Sequence, residues 1–94
     1  MTRDAAFYFA NLGADVTRCI NAVKLGDDSR YQESLERAYN TANYIRALHR
    51  PEAYEEALLM LRGLDLARAT PETLTSFQSS LDSLVGAFSS RLAI

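Results

Sequence analysis

Histidine and cysteine each occur once in this chain of 94 residues, and tryptophan does not occur at all. One Cys19 cannot form an intrachain disulfide, and a single cysteine on an apolar helix stripe is ordinarily a buried small hydrophobe, so a reducing compartment is expected. One His49 and one Cys19 cannot supply the four ligands of a structural zinc site. A carboxylate-bridged di-metal bundle needs a Glu-x-x-His motif on each of two helices, and Arg46 stands three residues before the single histidine. No cofactor is expected. Ser or Cys nucleophiles would also have to share that one imidazole as base, which leaves no triad to assemble.

Glycine is equally sparse, and Gly13, Gly26, Gly63 and Gly86 lie too far apart to cradle a phosphate. An excess of basic charge is missing too. Ten Lys and Arg stand against twelve Asp and Glu, a formal net charge of −2, so the electrostatic footprint of a nucleic-acid binder is absent. No apolar run approaches the roughly 18–20 residues of a membrane span, and no long apolar core follows the opening Met1-Thr2-Arg3-Asp4 as a secretory signal requires. A cytoplasmic location without membrane attachment is expected. Strand formers are few and nowhere alternate, which argues against a sheet.

What remains is 48% hydrophobic and 23% charged, the composition of a folding globular chain. The length admits one domain with one core. Four segments carry the 3.6-residue apolar period, each bounded by Gly or Pro. The first spans about residues 3–25, with Thr2 as N-cap, Gly26 as stop and an inward line of Ala5, Phe9, Leu12, Val16, Cys19, Ile20 and Val23. The second spans about 30–49. Ser29 and Gln32 form a capping box at its start, Tyr31, Leu35, Ala38, Ala42, Ile45 and His49 lie inside, and Glu33 and Arg37 pair outside. Pro51 opens the third, which spans about 51–68 if it passes through Gly63, with Tyr54, Ala57, Leu58, Leu61 and Leu64 inside. Thr70 caps the fourth, about 71–92, whose line is Leu74, Phe77, Leu81, Leu84, Val85, Phe88 and Leu92. Short connections between long helices predict an all-α, antiparallel up-down-up-down four-helix bundle.

Two kinds of surface stand out for function. The first is poor in charge. Ser76, Ser79, Ser83, Ala87 and Ser90 point away from the fourth helix's apolar line, and Phe7, Ala10 and Ala14 do so on the first. In the third helix, Ala57 to Leu61 is apolar on nearly every side, which leaves Leu59 and Met60 with no obvious place in the core. These ten positions are the candidate partner interface. The expected function is non-enzymatic, self-association or docking to another protein, with a C2 homodimer as default. The plainer alternative for the same faces is a hydrated surface on which Ser is tolerated. The second surface is the cluster Arg46, His49 and Arg50, which could contact phosphate in a small nucleic-acid-acting enzyme or binder. A helix C-terminus attracts cations without any ligand, and the acidic balance of the chain disfavours that alternative.

Overall fold

A computed structural model describes residues 4–92, with side chains through residue 87. The proposed cap Thr2, and the side chains of Phe88, Ser90 and Leu92, lie outside the described residues. Four helices follow one another: α1 Ala5–Leu25, α2 Asp28–Ala47, α3 Pro51–Ala67 and α4 Pro71–Leu92. No strand occurs among the described residues. The chain is a four-helix bundle, as its periodicity predicts.

The ends of the helices follow local chemistry, in three places differently from expectation. Asp4, with extended backbone, caps α1 in place of the expected Thr2, accepting the Phe7 amide at 2.9 Å. The other end closes at Gly26, whose φ of 68° lets its amide reach the Val23 carbonyl while Asp27 reaches that of Ala22. That turn delivers Asp27 to the start of α2, where its carboxylate accepts the Arg30 amide at 3.0 Å. The expected Ser29–Gln32 box is therefore not the cap, since Ser29 already lies inside the helix. Asp27 comes first along the chain, and its charge suits the positive helix end.

His49 is the third departure. Helix α2 stops at Ala47, and His49 stands exposed in the connecting turn with φ of 57°, off the inner line. Pro51 biases its predecessor away from helical geometry, and Arg50 is accordingly at φ −113°, ψ 83°. Further on, α3 does pass through Gly63. Thr70 caps α4 by accepting the Thr73 amide at 3.2 Å, and the Thr73 hydroxyl donates to the Ala67 carbonyl at 2.7 Å, joining the two helix ends.

Packing centres on α1, which touches all three other helices, whereas α2 and α4 do not meet among the described residues. Phe9, Leu12, Val16, Cys19 and Ile20 of α1 are fully buried. Opposite them, Ala38 and Ala42 of α2 and Ala53 and Ala57 of α3 are small enough to let backbones come close. At two crossings even a methyl group has no room. A Cβ on Gly13 would fall 2.7 Å from Val85 Cγ2, and one on Gly63 would fall 2.8 Å from Phe77 Cε1. The glycine inside α3, unfavourable by about 1 kcal/mol for the isolated helix, is thus the seat of the Phe77 ring.

The face α3 turns inward also differs from expectation. Its buried line is Ala53, Ala57, Met60, Leu64 and Ala67, with Leu61 beside it. Met60, expected outside, is only 2% exposed, and Leu58, expected inside, is 41% exposed. The local run is apolar all round and fixes no rotation. The alanines do, since the buried small side chains Ala53, Ala57 and Ala67 suit a close approach of α3 to the core.

Candidate docking surface

Of the ten positions singled out for a partner, Phe7, Ala10, Ala14, Leu59, Ser76, Ser79, Ser83 and Ala87 are exposed, Met60 is buried, and the side chain of Ser90 is not described. The exposed ones do not form a single face. On α4, Val85 meets Gly13 of α1, and Gln78 accepts a hydrogen bond from Lys24 Nζ at 2.6 Å. Ser76, Ser83 and Ala87 lie about half a turn away from Val85, at 100° per residue. Phe7 turns to the opposite flank of α1, its ring edge-on to Tyr8, which stacks on Tyr44 of α2 at 5.4 Å. Phe7 is therefore on a different flank of the bundle from Ser76, Ser83 and Ala87.

The α4 face instead borders an apolar patch contributed by α3. Leu59, Gly63 and Leu66 follow one line along α3, spaced by four and three. Since Phe77 packs on Gly63, the two leucines flank the crossing with α4 by a turn on either side. Leu84, expected inside, instead continues the exposed line on α4 seven residues beyond Phe77. Leu59, Leu66 and Leu84 are 59%, 66% and 36% exposed, and Phe77 between them is half-buried. Ser76, Ser80 and Ser83 run alongside. Sequence reasoning found Leu59 and the serines but missed Leu66. The signal was present, since Leu66 follows Leu59 by seven once α3 is continued through Gly63.

The polar interior offers little for catalysis. Asp15 is buried, and its carboxylate accepts from Arg18 at 2.9 Å and from the Thr41 hydroxyl of α2 at 3.1 Å, so it ties α1 to α2. Burial, reinforced by the Asp15 charge, pushes the Cys19 thiol from its ordinary 9.0 up to about 11. A thiol held protonated is a poor nucleophile. Burial likewise raises the Tyr31 phenol, opposed by Arg68, whose guanidinium lies 4.2 Å from the Tyr31 ring centre. Among the described residues, no group of three His, Cys, Asp or Glu is placed to hold a metal ion.

The basic cluster at the end of α2 is loosely arranged. Arg46 is exposed in the last helical turn, His49 is in the turn beyond it, and Arg50 Nε is engaged by Glu52 at 2.7 Å. The expected pair of Glu33 and Arg37 is not formed among the described ion pairs, and both side chains border the groove between α1 and α2. No described helix is long and apolar enough to cross a membrane. No protein-family model, curated protein or solved structure matches the chain significantly.

Proposed function

We propose that this chain is a non-enzymatic helical module that works by association, with a two-fold homodimer through the α3–α4 face as the first assembly to test. One observation carries the reading: Leu59 and Leu66 stand well over half exposed on either side of the Phe77–Gly63 crossing, beside a strip of serines poor in charge. Contiguous exposed leucine bordered by small polar side chains is costly in water and favourable against a second apolar face. Small residues lose little side-chain entropy when a helix packs on them. A two-fold arrangement lets the same patch serve on both copies. Docking to a different protein through this face is the other form of the proposal, and a cytoplasmic setting suits a chain with one protonated thiol.

Sedimentation equilibrium from micromolar to millimolar concentration tests the homodimer. Concentration-dependent mass that reverts to the monomer in a Leu59→Glu, Leu66→Glu double variant is the expected result. A monomer throughout removes self-association and leaves heterologous docking as the surviving form. The reading centred on Arg46, His49 and Arg50 has less behind it, because Glu52 already occupies Arg50.

A further inference from the structure

A groove between α1 and α2, away from the leucine patch, gathers three of the chain's arginines. Arg18 and Asn21 of α1 and Arg30, Glu33, Ser34 and Arg37 of α2 line a cleft of about 270 Å³. Each guanidinium offers five N–H donors in a planar fork, and few are engaged. Arg18 gives Nη1 to Asp15 at 2.9 Å. Arg30 Nε stands 3.9 Å from Asp27, beyond hydrogen-bond reach. Arg37 forms no ion pair with any described residue.

The second observation is Ser34. It is 5% exposed and lines the same cleft, yet its hydroxyl has no hydrogen-bond partner among the described residues. Buried hydroxyls are normally satisfied, so one left open at the floor of a cationic cleft points to a ligand atom as its partner. Asp15, the other buried polar side chain nearby, is by contrast satisfied within the fold.

We infer that this cleft is an oxyanion site that takes the phosphate group of a small ligand. Arg30 and Arg37 grip the anion from α2, and Arg18 shares its remaining donors with Asp15 from α1. Asn21 donates at the rim, and the Ser34 hydroxyl donates at the floor. Planar guanidinium forks match tetrahedral phosphate oxygens two at a time. Glu33 in the lining, with Asp27, Asp28 and Glu36 on adjacent positions of α2 and its cap, limits the positive field to the cleft. A long polyanion such as nucleic acid would meet Asp27, Asp28 and Glu36 as well, whereas a compact phosphate would face only Glu33 of these, against three guanidinium groups. The site is independent of the leucine patch, and its failure would leave the association reading untouched.

Two-dimensional ¹H–¹⁵N spectra of the whole chain, titrated with sodium phosphate and separately with phenyl phosphate at ionic strength held constant with sodium chloride, test the site. Saturable shifts grouped at residues 18–21 and 30–37 are expected. Tighter binding of phenyl phosphate assigns a monoester as ligand, and equal binding assigns the free ion. Arg37→Gln should weaken the saturating interaction by about tenfold or more, as loss of charge-assisted hydrogen bonds does. Ser34→Ala should weaken it severalfold, and Arg62→Gln on α3 should leave it unchanged. Circular dichroism of each variant establishes that the fold is retained. Shifts that do not saturate, that spread over the whole surface, or that persist unchanged in Arg37→Gln overturn the site.

Discussion

Gly13 and Gly86 are both helical glycines, and their surroundings make them respond in opposite ways to the same substitution. At Gly13 an added methyl group collides with Val85, whose β-branched side chain has little rotamer freedom to yield. Gly13→Ala should destabilise the protein by about 1–2 kcal/mol, because overpacking outweighs the gain in helix propensity. At Gly86 nothing lies within 4 Å of the added carbon, so Gly86→Ala should stabilise by about 0.5–1 kcal/mol. Urea denaturation of the two variants measures both signs. Cys19 supplies a pH prediction of definite direction. Its thiol is held protonated in the fold up to about pH 11 but ionises near 9.0 when exposed. The unfolded chain therefore loses a proton that the folded chain keeps, and stability should fall as pH rises from about 9 towards 11. The raised Tyr31 phenol acts in the same sense. Cys19→Ala should flatten the decline in part, as read from denaturation midpoints across that range.

Helix existence was legible from periodicity alone, and helix ends were legible wherever a cap or a proline stood in a unique place. Thr70-Pro71 and Gly26 are such cases. At the start of α2 the sequence reading put the cap at Ser29, and the turn made by Gly26 puts it at Asp27 instead. Asp27→Ala should cost about 1 kcal/mol, as loss of an N-cap does, whereas Ser29→Ala, inside the helix, should change stability by less than about 0.5 kcal/mol. Thermal melts of the two variants distinguish the assignments. The rotation of α3 was not legible in Ala57 to Leu61, where every direction is apolar. It was readable in Ala53, Ala57, Leu64 and Ala67, had side-chain size been weighed beside hydrophobicity. Size matters there because the small side chains of Ala53, Ala57 and Ala67 leave α3 room to come close to its neighbours.

Across the whole bundle, α3 and α4 share an outer face that no other described residue covers. Leu59 and Leu66 are two of the largest exposed apolar groups on it. Glutamate at both positions should leave the fold intact, since neither side chain is in the core, and should weaken any dimer through this face by about a hundredfold or more. Sedimentation velocity beside circular dichroism separates that outcome from unfolding. The opposite groove, with Arg18, Arg30 and Arg37, was invisible as a cluster in the linear sequence. Its members sit twelve and seven residues apart on two helices, and Glu33 suggested a simple surface pair for Arg37.

The order of apolar residues, at intervals of three and four, was sufficient to make this chain helical and to divide it into four segments. Most of those lines are buried where the pattern placed them, because an apolar stripe needs a neighbour and a four-helix bundle supplies one to each helix. Which neighbour lies against which flank is a different matter, since it depends on the fit of Val85 on Gly13, Phe77 on Gly63 and Thr41 on Asp15. Those contacts join residues far apart in the chain. They therefore set, beyond any local pattern, which leucines remain in water and which arginines meet.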